Sequence, residues 1–148
     1  MITVEEALKI VHAHLGHWGT EEIFLDQSLG RILQEEIVAD RHFPPFNRVT
    51  MDGIGLNFDQ FDKGQRVFEI KGVAPAGGPQ QELPDPSYCL EVMTGATVPI
   101  GIDVVVRYED LEILEGKATV RLSSLNRNQN IHFKGSDRHQ GSVILSPG

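Results

Sequence analysis

The sequence predicts an α+β fold in which an N-terminal helical and extended domain adjoins a small β-barrel-like domain. Three observations carry that expectation. A capped, helix-periodic segment opens the chain, a Pro44-Pro45 stretch interrupts it, and beyond Met51 the apolar residues fall into short runs divided by Gly, Pro and charged turn signals. The expected division is a domain I of residues 1–47 with 126–148 and a β-rich domain II of residues 48–125.

Thr3 and Glu6 stand three residues apart at the start of an apolar run, the pattern of a capping box. Val4, Ala7, Leu8, Val11 and Leu15 then recur at helical spacing, and Gly16 is a natural stop. Glu22 to Leu25 reads as extended. Asp26 can cap a second, shorter helix through Leu29, Ile32 and Leu33, after which Ile37-Val38-Ala39 forms a short apolar run. His42-Phe43-Pro44-Pro45-Phe46-Asn47 reads as an extended linker, because proline removes a backbone donor and restricts the residue before it. Strands are expected at Val67–Lys71, Tyr88–Met93, Asp103–Tyr108, Leu111–Leu114 and Ala118–Leu122, with Glu115-Gly116-Lys117 as a hairpin turn and Gly72–Pro86 as loop. Ser142-Val143-Ile144-Leu145 is a final apolar run. The chain then closes on Ser146-Pro147-Gly148, a turn rather than a closing element, which suggests part of a larger protein.

Composition narrows the function classes. The formal charge is −8, from 13 Lys and Arg against 21 Asp and Glu. Phosphate neutralisation needs clustered cations, so general nucleic-acid binding is not expected. The single cysteine, Cys89, can make neither an internal disulfide nor a cysteine-based zinc site, which suits a reducing cytoplasmic setting. The first residues lack the basic and apolar pattern of a secretory signal, and no apolar run is long enough to span a bilayer, so no membrane partner is expected.

Three segments can carry chemistry. Met51-Asp52-Gly53 places a carboxylate in a turn after the prolines, where Asp52 either faces a cleft or simply makes an Asx-turn. Met93-Thr94-Gly95-Ala96 follows an apolar strand, where a hydroxyl and backbone N–H groups can form an anion-binding nest or an ordinary loop. Arg127, His132, Lys134, Arg138 and His139 surround one acid, Asp137, in the only basic cluster, which is either an anion site or a solvated loop. His12, His14 and His17 are a weaker metal candidate. His14 and His17 share a helix face, His12 does not, and no acidic or cysteine partner lies nearby.

The order of these blocks resembles the MoeA family, which includes the C-terminal part of gephyrin. Leu29-Gly30-Arg31-Ile32-Leu33, Pro44-Pro45-Phe46 and Met51-Asp52-Gly53 are similar to its opening. Met93-Thr94-Gly95-Ala96 with Pro99-Ile100-Gly101-Ile102-Asp103-Val104-Val105-Val106-Arg107-Tyr108-Glu109 looks like its second block, and Asn130 to Asp137 like its third. The resemblance implies molybdenum insertion into adenylated molybdopterin during molybdenum cofactor biosynthesis, with molybdate as second substrate and Mg²⁺ assisting. It implies an elongated homodimer whose active sites lie between the β domain of one subunit and a substrate α/β domain of the other. By motif position it implies catalytic roles for Asp52, Thr94 and Asp137. Met51, Gly53, Gly95, Ala96, His132, Lys134 and Arg138 would contact substrate. Either aspartate would hold Mg²⁺ or accept from pterin N–H groups. Here Thr50 stands where serine or a similar small residue is usual, Ile54 and Gly55 stand where an aromatic residue and alanine are common, and His132 stands where arginine is usual. Ser136 replaces a common acid.

The family's substrate domain and C-terminal domain would lie beyond Gly148, so the chain alone is expected to lack insertase activity. A non-catalytic dimerisation or scaffold module is the alternative. An RNA-binding barrel is disfavoured by the charge and by Phe133 being the only aromatic residue in the basic window.

Overall fold

The computed structural model describes residues 2–16 and 18–148. Among the described residues two helices, α1 (Val4–Ala13) and α2 (Phe58–Asp62), accompany ten strands. The strands are β1 (Ile37–Val38), β2 (Arg48–Val49), β3 (Gly53–Leu56), β4 (Val67–Ala74), β5 (Tyr88–Val92), β6 (Val104–Arg107), β7 (Leu111–Leu114), β8 (Lys117–Val120), β9 (Ile131–His132) and β10 (Val143–Leu145). The chain falls into two compact units, Met1–Ile37 with Leu145–Gly148, and Val38–Ile144. Mixed helix and strand is therefore the observed class. No helix among the described residues is long and apolar enough to cross a membrane.

In the first unit α1 carries the expected capping box: the Glu6 N–H donates to Thr3 Oγ1 at 3.2 Å and the Thr3 N–H to Glu6 Oε2 at 2.8 Å. The helix ends at Ala13, short of Gly16. It buries no residue. The second helix expected from Asp26 to Leu33 is not formed; a 3₁₀ turn spans Leu25–Gln27 instead. Ser28 explains the stop, because its hydroxyl donates back to the Leu25 carbonyl at 2.7 Å and competes with helical pairing. Leu29 is 96% exposed, so no packed apolar face offsets the cost of helix nucleation. His17, one of the three weak metal candidates, lies outside the described residues.

The second unit is organised by a six-stranded sheet of order β6-β3-β5-β4-β8-β7, curled into a half-barrel. All neighbours are antiparallel except β4 and β5. The five strands expected from sequence are present within a few residues, and Glu115 and Gly116 form the β7–β8 turn with φ of 49° and 74°. Strand β3 and helix α2 were not expected. β3 lies between β6 and β5 and is buried along its length. Its alternation sorts the core into two faces. Ile54 and Leu56 pack with Phe61, Phe68, Cys89, Val104 and Val106 on one side. Leu90, Val92, Val105 and Ile102 form the core on the other. α2 closes the first face: the Asn57 side chain accepts from the Asp59 N–H, and Phe61 is driven inward.

Candidate functional site

The antiparallel register decides which motifs meet. Gly53, at the start of β3, is paired with Val92 at the end of β5 and with Arg107 at the end of β6. Asp52 therefore stands beside the residues that leave those two strands, Thr94 and Tyr108. The Tyr108 N–H donates to the Asp52 carbonyl at 3.3 Å. Packing here admits no side chain at position 53, since a Cβ on Gly53 would lie 1.9 Å from the Val106 carbonyl oxygen. This glycine is needed for close backbone approach, not for its own flexibility.

Strand β2 ties the same end together. Val49, 1% exposed, donates its N–H to the Ala96 carbonyl and accepts from the Gly95 N–H, each at 2.9 Å. On its other side Arg48 and Val49 pair with His132 and Ile131 of β9, and the Thr50 N–H donates to the Asn130 carbonyl at 3.1 Å. The three sequence blocks around Asp52, Thr94 and His132 are thus laced through one two-residue strand.

Asp52 and Thr94 form the tightest polar contact of the site. The Thr94 N–H and hydroxyl both donate to Asp52 Oδ1, at 2.7 and 2.8 Å. Oδ2 takes no hydrogen bond from any described residue. The backbone bond, followed by the hydroxyl bond, lowers the Asp52 pKa below the ordinary aspartate value. Both residues line an open depression of about 310 Å³ with Met51, Arg107, Tyr108 and Glu109.

The last three of those residues were not singled out from sequence. The available signal was positional: they follow directly on the buried run Val104-Val105-Val106, where a strand end in a sheet presents its next residues to a cleft. Arg107 pairs with Asp110 at 2.8 Å. Tyr108 donates its hydroxyl to Glu91 Oε1 at 3.3 Å, and desolvation, then the Glu91 charge, raises its pKa.

Of the two readings of Thr94-Gly95-Ala96, an anion-binding nest or an ordinary loop, the backbone bonds support the loop. The Thr94 N–H is committed to Asp52, that of Gly95 to Val49 and that of Ala96 to the Met93 carbonyl. The same bonds hold Gly95 at φ +88°, a conformation glycine adopts without strain. Gly53 and Ala96 are both buried.

Asp137 belongs to a second group. His132 Nε2 lies 2.9 Å from Asp137 Oδ1, and Arg48 Nη2 lies 3.2 Å from His132 Nδ1. The turn is held by backbone: the N–H groups of Asp137 and Arg138 both donate to the Phe43 carbonyl, and the Lys134 N–H donates to Asn47 Oδ1. Asp137, His132, Lys134 and Arg138 are not among the residues lining the depression beside Asp52. Arg127 leaves the basic cluster altogether and pairs with Asp59 and Asp103.

For a metal the donor chemistry is restrictive. No three His, Cys, Asp or Glu residues converge among the described residues. A closed protein cage is therefore not built. An ion that keeps most of its waters and takes one or two carboxylates plus substrate oxygens, as Mg²⁺ does, fits Asp52 with its unpaired oxygen.

Comparison with known proteins gives a consistent result. Residues 2–148 match the family model described as the MoeA N-terminal region (domain I and II). A molybdopterin molybdenumtransferase of Synechocystis is 41% identical over 150 residues, covering 98% of this chain and 37% of that protein. The Bacillus subtilis molybdopterin molybdenumtransferase is 33% identical over 154 residues, covering 99% and 36%. The crystal structure of a molybdopterin biosynthesis moeA protein from Pyrococcus horikoshii superposes with a TM-score of 0.86 at 29% identity, covering 97% of this chain and 39% of that one. The chain spans a little over one third of the length of these relatives.

Proposed function

The chain belongs to the MoeA N-terminal family, and on that premise we propose that it supplies one wall of a site that inserts molybdenum into adenylated molybdopterin. The observation that carries this reading is the Thr94–Asp52 contact at the open depression. Two donors saturate Oδ1 and keep the acid ionised, so a single carboxylate oxygen is aimed outward with little freedom. Such a group suits a substrate rich in phosphate oxygens only through a cation or through N–H donors of the substrate itself. Asp52 and Asp137 are the residues assigned to Mg²⁺, or in its place to pterin N–H groups. When bound, Mg²⁺ would supply an electrophile for the phosphate oxygens of the adenylate.

The remaining assignments follow the same reading. Met51 and Thr94 line the depression, Gly53, Gly95 and Ala96 adjoin Asp52 and Thr94 in the chain and are assigned to substrate with them, and His132, Lys134 and Arg138 are assigned to a second contact region around Asp137. The protein acts in the cytoplasm as a homodimer, the opposite wall of each site coming from a region of the relatives that the chain does not span. The division into domain I, residues 1–47 with 126–148, and domain II, residues 48–125, is part of the same proposal.

The test is a molybdenum-insertion assay with adenylated molybdopterin, molybdate and Mg²⁺. The chain alone is compared with the chain joined to the part of the Synechocystis relative that it does not cover. Insertion by the joined protein and none by the chain alone is expected. Absence of insertion in both, with the joined protein folded, would sink the catalytic reading in favour of a scaffold.

A further inference from the structure

We propose that Arg48 is a positioning residue that sets the tautomer of His132 and, through that ring, the orientation of Asp137. The proposal rests on the reading of Asp137 as a site residue. Arg48 and His132 are direct cross-strand partners in the β2–β9 pair, and Arg48 Nη2 lies 3.2 Å from His132 Nδ1. A guanidinium has five N–H donors and no acceptor, so Nδ1 must accept. A neutral imidazole that accepts at Nδ1 carries its hydrogen on Nε2. Nε2 in turn lies 2.9 Å from Asp137 Oδ1, and a carboxylate can only accept. Both contacts require the same polarity: Arg48 donates to His132 Nδ1 and His132 Nε2–H donates to Asp137, so Arg48 reinforces the tautomer that the carboxylate demands and decides it where the carboxylate is absent.

Two features make Arg48 available for this role. It is exposed and makes no ion pair among the described residues, so its donor is not drawn to a competing carboxylate. Its backbone is held on both sides, by β9 and by a bridge to Thr97, which fixes where the guanidinium starts. Asp137 is held from the other direction by its N–H bond to the Phe43 carbonyl. The result repeats the arrangement of Asp52: one carboxylate oxygen is occupied, and the other takes no hydrogen bond from a described residue. Arg48 also brings a permanent positive charge to this carboxylate without closing on it as a salt bridge.

The experiment is nitrogen NMR of the histidine-labelled 148-residue chain at a pH where the imidazoles are neutral, with His132→Gln identifying the ring by loss of its signals. The expected spectrum shows His132 as the Nε2–H tautomer. In Asp137→Asn, whose amide can either donate or accept, the Nε2–H form should persist while Arg48 is present, and both tautomers should be populated once Arg48→Met is added. A wild-type Nδ1–H tautomer, a scrambled one in Asp137→Asn, or an unchanged one when Arg48→Met is added to Asp137→Asn would each overturn the proposal. In the joined protein Arg48→Met should lower insertion about 10–100-fold, as loss of an outer partner does at other metal sites. Should Asp137→Asn leave insertion unchanged while the tautomer still follows Arg48, the reading of Asp137 as a site residue fails and the positioning by Arg48 stands.

Discussion

The Asp52 carboxylate takes both of its hydrogen bonds from one residue, the N–H and the hydroxyl of Thr94, and takes them on the same oxygen. Thr94 is thus the residue through which the acidity of Asp52 is set. Replacing it by alanine removes the hydroxyl donor and leaves the backbone one. The Asp52 pKa, lowered from the ordinary 3.8 in the native protein, should rise in Thr94→Ala but stay below that ordinary value. Carboxyl-carbon NMR titration reads the shift directly. The linkage has a definite sign. A depressed folded pKa contributes stability above the unfolded value, and that contribution is lost as pH falls through the folded one. The wild type should therefore lose stability relative to Thr94→Ala only on acidification below about the ordinary aspartate range.

Asp52→Ala and Asp137→Ala should leave the fold intact, since both side chains are exposed, and abolish insertion in the joined protein. Circular dichroism and the insertion assay are read side by side. Unfolding of both variants would move these residues from the site to the scaffold.

Gly53→Ala should behave in the opposite way. The added methyl would meet the Val106 carbonyl at 1.9 Å in a strand paired on both sides, leaving no room to yield. Destabilisation of about 3 kcal/mol or more is expected from such overpacking, measured by urea unfolding. A stability within 1 kcal/mol or so of the wild type would show that β3 and β6 can separate there.

Cys89 should be chemically silent. It is fully buried in the sheet core, and burial, then the Glu91 charge, pushes its thiol up to about 12. Thiol reagents need the thiolate, so native protein at pH 8 should react only as fast as it unfolds, and urea should release one reactive thiol. Rapid labelling of the native chain would contradict this core packing.

The sequence displayed the strands that alternate and the one, Val104-Val105-Val106, that is apolar throughout. Val67–Lys71 and Leu111–Leu114 alternate, and the β7–β8 hairpin announces itself through Glu115-Gly116. It hid β3, because the glycines of Gly53-Ile54-Gly55-Leu56 look like loop. Gly55 is small for a packing reason: a Cβ there would press on Ile102 at 2.8 Å. The second N-terminal helix failed for the converse reason. Its apolar spacing was sound, but Leu29 and Ile32 stay exposed, so periodicity had no burial behind it. At the site, the motifs identified Asp52 and Thr94 but not their mutual bond. Arg107, Tyr108 and Glu109 became visible only once the strand register placed the ends of β5 and β6 beside the start of β3.

The junction at Gly53 has a consequence for how this protein can change. The residue that presents the carboxylate and the residue that seats β3 between its two partners are neighbours in the chain, with no spacer between them. An insertion meant to move Asp52 by one position would slip β3 against both of its neighbours and exchange its two packed faces. Variation in what the depression accepts must therefore come from the residues that follow β5 and β6, whose loops can lengthen without disturbing that pairing. Any lineage that redesigned this wall would be expected to keep Asp52 fixed and rewrite its surroundings.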